Sequence, residues 1–340
     1  MATTSSFIIT VFVLCSIEAF LALPLANDLN VVIDTDPGAD DAMAILMMLS
    51  KMSRANVVAI TAVTGNVGVV NTTRNALLTL QVADRLDIPV YAGSDRGMVY
   101  KNKIDPYFGY DGLGDSFSEK PYYDFTKHEH AALALADIVK KRPGEITILC
   151  IGPLTNIALA LHIYPRLLED VKEVVILGGS YQGGGGTRPG VEFNTYSDPE
   201  ASAFVFSKVP VGKTVTVIPS ETSHQVAMPL DWRLNTLGKL ESCFIEFLNR
   251  AEGVVLKRAR VWSISDQVAA AIILNPAIIK STKDAYLLVE TCGNTSRGAV
   301  FRDDRHKTTN VRLITEVDKE GIQTMLLEYL NDSPKECKFS

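Results

Sequence analysis

The stretch Asp34-Thr35-Asp36-Pro37-Gly38-Ala39-Asp40-Asp41 puts four carboxylates into eight residues directly after an apolar run, and few chain geometries tolerate that density of charge. Residues 29–33 read as a buried parallel strand, and residues 42–49 carry the apolar residues and helix formers of a following helix. Asp34 and Asp36 alternate along the strand and share a face, Pro37-Gly38 turns the backbone, and Asp40-Asp41 open the helix. Several carboxylate oxygens therefore converge at the carboxyl end of one strand. Their repulsion is most simply relieved by a hard cation such as Ca²⁺, which takes about six to eight oxygen ligands at roughly 2.3–2.6 Å. Acidic helix caps are the competing explanation, but caps account for one or two of these residues and leave the others without a reason.

The same strand, turn and helix unit recurs. Residues 57–63 form a second apolar strand ending in Thr64-Gly65-Asn66, followed by a helix over 70–86 and a short strand at 89–93. A helix over 130–141 leads to a strand at 146–151, after which Gly152-Pro153-Leu154-Thr155-Asn156 opens another helix. Strands at 174–177 and 214–218 continue the pattern. This alternation predicts an α/β fold with a mostly parallel, doubly wound, Rossmann-like central sheet and helices on both faces. In such sheets ligands bind outside the carboxyl ends of the strands, where the acidic stretch falls.

Between these elements, residues 94–126 are rich in Gly, Tyr and Asp without periodicity, and read as a functional loop or a packed surface loop. The glycines at 183–186 lack the Gly-Lys-Ser/Thr of a phosphate loop and read as a mobile segment. Glu192 and Asn194 alternate in what reads as an extended segment, so both can face one cavity as partners for hydroxyls. Asp198 and Glu200 read as acids of a helix N-terminus, and a largely helical stretch covers 234–258. Asp266 stands at the entry to an apolar helix over 268–273, where an acid alone is most often a cap. The tail offers strands at 285–290 and 298–301 and a helix over 319–330.

A chain of 340 residues with 47% hydrophobic and 21% charged content can bury one large core, here assigned as a single domain over 27–335. A net charge of −6 without a basic run argues against a nucleic-acid surface and for a small-molecule partner. Residues 1–22 read as a secretory signal peptide, its apolar stretch at 7–17 followed by Ala19, Ala22 and Ala26, with the cut within 16–26. That stretch is too short for a membrane span, so the mature protein is expected to be secreted and free of membrane. Sequons at Asn71, Asn294 and Asn331 fit that route, though such tripeptides also arise by chance. Cys15 falls in the leader, Cys150 reads as a buried free thiol, and any disulfide involves Cys243, Cys292 or Cys337, with the pairing open. No spacing of Cys or His resembles a zinc site.

Taken together, Asp34-Thr35-Asp36-Pro37-Gly38-Ala39-Asp40-Asp41-Ala42, Gly65-Asn66, Asp111-Gly112-Leu113-Gly114, Gly152 to Asn156, Glu192-Phe193-Asn194 with Asp198-Pro199-Glu200-Ala201, and the late Asp266 resemble the inosine-uridine-preferring nucleoside hydrolases. The resemblance runs in family order over roughly residues 30–305. It implies calcium-dependent hydrolysis of the N-glycosidic bond of ribonucleosides to ribose and free base. It also implies that Asp36, Asp41, the carbonyl of Ile151 and Asp266 hold Ca²⁺, with Asp36 as general base and Asp34 ordering the loop behind them. Asp40, Asn66, Glu192 and Asn194 would hold the ribose hydroxyls, and a homodimer or homotetramer is expected.

The sequence departs from that pattern where the leaving base is concerned. Many members carry a His just before the late Asp, and here the residue is Ser265, a poor acid near neutral pH. The His frequent in the flap motif is Phe108 here, with Tyr110 two residues on. These changes resemble purine-preferring members, and point to stacking of a purine between aromatics such as Phe108 and Trp262; simple packing of both rings is the alternative. An Asn frequent before Glu-Phe-Asn falls within Gly185-Gly186-Thr187, so one contact to the sugar 5′-hydroxyl is missing or supplied otherwise. Two other functions compete: a catalytically weak or silent secreted nucleoside-binding protein that keeps the calcium site, and a phosphatase of the haloacid dehalogenase type. The second lacks the expected residue spacing after Asp36 and a suitably placed Lys.

Overall fold

The computed structural model describes residues 29–101, 104, 106–118 and 129–339. The expected leader, its cleavage window and Cys15 lie outside the described residues, as does part of the 94–126 loop. Eight strands form the central sheet: β1 (Leu29–Thr35), β2 (Ala55–Ala62), β3 (Val90–Ala92), β4 (Ile146–Cys150), β5 (Glu173–Leu177), β6 (Val215–Ile218), β7 (Ile279–Ala285) and β8 (Val311–Val317). Their order across the sheet is β3-β2-β1-β4-β5-β6-β8-β7. Every neighbouring pair is parallel except β8 with β7.

β1 is buried on both faces, which is why its sequence reads as an unbroken apolar run. Val31 and Ile33 join one core, and Val32 joins the other. The first core is closed by helices α1 (Ala39–Leu49) and α2 (Val69–Val82), and the second by α3 (Ala131–Lys141) and α4 (Thr155–Ile163). Further along the chain come α5 (Phe193–Ser197), α6 (Pro199–Ser207), α7 (Cys243–Ala251), α8 (Asp266–Leu274) and α9 (Lys319–Asn331). Of these, α6 packs in the second core and α7, α8 and α9 in the first. The fold is the expected doubly wound α/β architecture. Among the described residues no helix is long and apolar enough to cross a membrane.

The differences from the sequence reading have local causes. The helix expected over 70–86 stops at Val82, and Asp84 just beyond it takes a left-handed φ of 56°. The strand expected at 285–290 is two elements, since β7 ends at Ala285 and Leu287–Val289 pairs instead with Val300–Arg302 in a separate ribbon. The 234–258 stretch is broken into Leu230–Asn235, a 3-10 turn at Leu237–Lys239, α7 and Gly253–Leu256. Glu192 and Asn194 do not alternate on a strand. Glu192 caps α5, its carboxylate accepting the backbone N–H groups of Asn194 and Thr195, which draws the segment into a helical turn. Cys150 is buried and free as expected, Cys243 is bonded to Cys337, and Cys292 is exposed and free.

Candidate active site

Parallel pairing of β1 with β4 sets Asp34 opposite Cys150, so the Asp34-to-Asp41 turn and the Ile151-Gly152 turn leave the sheet side by side. The Ile151 N–H donates to the Asp34 carbonyl at 2.9 Å. Asp34 itself points down into the sheet rather than outward. Its Oδ2 accepts from Thr61 Oγ1 at 2.6 Å and Asn156 Nδ2 at 2.9 Å, while Oδ1 is buried without a partner. Burial pushes its pKa up to about 7. Asn156 also donates to the Ala62 carbonyl at 3.1 Å, so Asp34 is the hub that ties β1, β2 and α4 together beneath the site.

Above that hub, Asp41 folds back over the turn. Its Oδ1 accepts from the Thr35 hydroxyl and the Asp36 N–H, and its Oδ2 accepts from the Gly38 N–H at 3.0 Å and Asn66 Nδ2 at 3.1 Å. Asp36 is buried, with Oδ2 accepting the Asn66 N–H at 2.6 Å. Burial, and then the charge of Asp41, hold the Asp36 carboxyl well above the usual range. Asp40 is raised for the same two reasons, and its Oδ1 accepts the Asp41 N–H at 3.0 Å. From the opposite side, α8 begins with Asp266, whose pKa is pushed up by burial and then by the charges of Asp40, Asp41 and Asp36.

These acids face a cavity of about 750 Å³, which Asn66, Ile151, Glu192, Asn194 and Phe108 also line. Glu192 is raised by burial even though it accepts three backbone N–H bonds, from Gly179, Asn194 and Thr195. Asn194 donates through Nδ2 to the carbonyls of Ile151 at 2.9 Å and Leu177 at 3.2 Å. Two glycines are forced by Asp36. A Cβ at Gly65 would stand 2.0 Å from Asp36 Oδ2, and one at Gly152 would stand 2.8 Å from Oδ1.

Whether a cation fits can be judged from this donor set. Oxygens of Asp40, Asp41 and Asp266 all lie within 4.8 Å of one another. No Lys, Arg or His is among the described residues lining the cavity, so none of those residues neutralises the cluster. Anionic oxygens with no other counter-charge suit a hard divalent ion. The grouping differs in one respect from the expected ligand set: Asp40, assigned to the ribose, falls within it, and Asp36 lies alongside with one oxygen committed to Asn66.

The structure separates the two aromatics expected to sandwich a base. Phe108 lines the cavity, whereas Trp262 is 3% exposed and is not among the residues that line it. Its Nε1–H donates to Glu252 Oε1 at 2.7 Å, its ring stacks on Trp232 with centroids 6.1 Å apart, and the Arg233 guanidinium lies 5.6 Å from it. A buried indole needs a hydrogen-bond acceptor, and here Glu252 supplies it. The aromatic that does reach the cavity beside Phe108 is Tyr107, half exposed, with ring centroids 4.7 Å apart and planes at 87°. Tyr107 adjoins Phe108 in the same Gly-rich segment, a signal present in the sequence. Tyr196, four residues beyond Glu192 on α5, and Ser265 also line the cavity.

A doubly wound sheet carrying a buried cage of carboxylates at its carboxyl edge, open to a polar cavity, is the frame of a cation-assisted small-molecule enzyme. The chain belongs to the inosine-uridine preferring nucleoside hydrolase family, whose model matches residues 31–324. It is 38% identical over 205 residues to the probable uridine nucleosidase 2 of Arabidopsis thaliana, covering 59% of this chain and 62% of that relative. The chain thus spans about three fifths of the length of the first curated relatives it matches. It is 30% identical over 325 residues to the non-specific ribonucleoside hydrolase RihC of Salmonella enteritidis, covering 91% of this chain and all of that one. The solved structure of the plant nucleoside hydrolase PpNRh1 superposes with a TM-score of 0.82 at 30% identity, covering 89% of this chain and 99% of that one.

Proposed function

We propose that the protein hydrolyses the N-glycosidic bond of ribonucleosides, releasing ribose and a free base, with Ca²⁺ as its resident ion. The observation that carries this reading is the cage of Asp36, Asp40, Asp41 and Asp266, buried or half-buried around one cavity with no cationic side chain among the described residues that line it. Asp41 and Asp266, with Asp36 and the Ile151 carbonyl, would hold the ion, and Asp40 beside them would face the sugar. When bound, Ca²⁺ supplies positive charge that returns these carboxyls to their ionised form and makes nearby water more acidic.

Asp36 then takes a proton from the attacking water, whose oxygen bonds to C1′ as the bond from C1′ to the base nitrogen breaks. Asp40, Asn66, Glu192 and Asn194 hydrogen-bond the ribose hydroxyls and hold C1′ over the acids. Positive charge that builds on the sugar ring in an oxocarbenium-like transition state is favoured by the surrounding carboxylates. The departing base takes the proton its nitrogen needs from solvent water, since Ser265 is a poor source of it. A purine, more basic at its ring nitrogens and broader in its face, suits a pocket wall made of Tyr107 and Phe108 better than uracil does. On this reading the enzyme prefers inosine, guanosine and adenosine, acts outside the cell after loss of its leader, carries glycan at its sequons, and works as a homodimer or homotetramer.

The test is base release from inosine, guanosine, adenosine, uridine and cytidine by the purified protein, with and without chelator. Release abolished by chelator and restored by Ca²⁺ is expected, and uridine turnover as fast as that of inosine ends the purine assignment. Ser265 also favours a second reading, a nucleoside-binding protein that has lost leaving-group activation. Saturable binding of a nucleoside with no turnover of any of the five would establish it.

A further inference from the structure

The C-terminal tail does not line the cavity, yet its last aromatic ring packs on the loop that does. The disulfide between Cys243 and Cys337 ties the chain beyond α9 to the first residue of α7, with Cα atoms 5.2 Å apart. Two residues further on, Phe339 completes a three-ring cluster. Its centroid lies 5.9 Å from Phe117 and 5.6 Å from Phe247, and those two rings are 4.9 Å apart. The Arg250 guanidinium lies over Phe117 at 4.5 Å and faces Phe339 at 5.5 Å, and the same group donates to the Ser116 carbonyl. Between Cys337 and Phe339 the tail is held again at the end of α2, where Gln81 Nε2 donates to the Lys338 carbonyl at 2.6 Å and Lys338 pairs with Asp84 just past the helix.

From this cluster the chain leads back to the cavity in a few residues. Ser116 Oγ donates to the Gly114 carbonyl at 2.9 Å and to the Arg250 carbonyl at 3.2 Å. Gly114 N–H donates to the Phe108 carbonyl at 2.6 Å, and a Cβ at Gly114 would stand 2.6 Å from the Arg250 carbonyl, so α7 and this loop touch through bare backbone. The near end of the loop is fixed by Asn75, whose Nδ2 donates to the carbonyls of Pro37 and Asp111 at 2.8 Å each. The loop that follows Tyr107 and Phe108 is therefore fastened at Asp111 to the acidic turn and at Ser116 and Phe117 to the tail cluster, and Gly114 between them holds the Phe108 carbonyl.

We propose that Phe339, held by the Cys243–Cys337 bond, is a positioning residue that fixes Tyr107 and Phe108 in the cavity wall, so that the tail sets the affinity for the base without touching it. The inference rests on the hydrolase reading only for what fills the cavity. Loss of the Phe339 ring frees Phe117 and Ser116 and lets residues 106–117 sample other positions, while the acids on β1 and α8 stay in place. Base affinity drops, and the chemistry at Asp36 continues.

The test compares the full chain with its Phe339→Ala, Phe339→Tyr and Cys337→Ser variants by amide hydrogen exchange and by steady-state kinetics on inosine. For Phe339→Ala, exchange in 106–117 is expected to speed up by roughly 3-fold or more while β1 and β4 are unchanged. KM is expected to rise roughly 3- to 10-fold with kcat within about 2-fold, and Cys337→Ser to shift both readouts the same way by less. Phe339→Tyr, which keeps the ring, is expected to restore both. Unchanged exchange in 106–117, or faster exchange spread over the sheet, overturns the proposal. The exchange readout decides it even if no nucleoside is cleaved, in which case the hydrolase reading fails on its own.

Discussion

Gly65 is the floor on which Asp36 rests: a methyl group at this position would come within 2.0 Å of the Asp36 carboxylate oxygen. No rotation of so short a side chain clears that overlap while Oδ2 keeps its bond to the Asn66 N–H. Gly65→Ala is therefore expected to lower kcat by about 10²-fold through misplacement of Asp36. Gly253→Ala, where nothing lies within 4 Å of the added Cβ, is the control. It is expected to leave kcat alone and to stabilise by at most about 1 kcal/mol. Equal kcat in both variants contradicts the assignment of Asp36.

Removing the proton acceptor while keeping its shape isolates chemistry from folding. Asp36→Asn retains an acceptor oxygen for the Asn66 N–H, so the turn is expected to persist, with kcat reduced about 10²- to 10⁴-fold. Asp266→Asn, by contrast, removes a charge from the oxygen cluster at the α8 start and is expected to weaken Ca²⁺ binding measured by titration calorimetry. Wild-type calcium affinity in Asp266→Asn would remove Asp266 from the ion's site.

The buried acids also make a prediction about stability without the ion. In the cation-free protein Asp34, pushed to about 7, and Asp36, Asp40 and Asp266, pushed well up, keep protons that the unfolded chain has already lost. Unfolded aspartates titrate near about pH 4, so across the window from there to about 7 the folded state binds more protons than the unfolded one. The stability they confer is complete below that window and is lost as pH rises through it. Thermal melts in chelator are expected to give a lower Tm at about pH 8 than at about pH 5, with the gap narrowing when Ca²⁺ is added. A Tm that rises with pH in chelator contradicts the proton count.

Trp262 and Tyr107 are expected to behave differently on truncation. Trp262→Phe leaves Glu252 Oε1 without the indole N–H in a buried site, which costs about 1–3 kcal/mol in denaturant unfolding, with the ratio of inosine to uridine turnover unchanged. Tyr107→Ala touches little of the core and is expected to raise KM for inosine while unfolding at nearly the same denaturant concentration. A changed base preference in Trp262→Phe would return that ring to the pocket.

The strand-turn-helix around Asp36 was legible because three local signals agree there: an apolar run, a Pro-Gly turn and acids at a helix start. Glu192 and Asn194 were found as cavity residues, but on the wrong backbone, because the capping bond that curls them into α5 comes from the Glu192 side chain itself and leaves no periodic trace. Trp262, expected beside the base, lies off the cavity wall, and the partner that holds its indole, Glu252, is ten residues back in the chain. β8 escaped notice because Arg312, Thr315 and Glu316 interrupt its apolar residues, and its register is set by β6 and β7 rather than by its own pattern. The Cys243–Cys337 bond spans 94 residues, a proximity that only the folded chain creates.

The place of β8 in the sheet has a consequence for synthesis. β8 lies between β6 and β7, so β7, although made earlier, has no partner in the sheet until residues 311–317 follow it. Every ligand candidate up to Asp266 has by then left the ribosome, with β1 to β6 able to pair among themselves. A nascent chain can thus assemble its acidic cage while one edge of its sheet is still bare, so a cation met at that moment would bind a protein not yet finished.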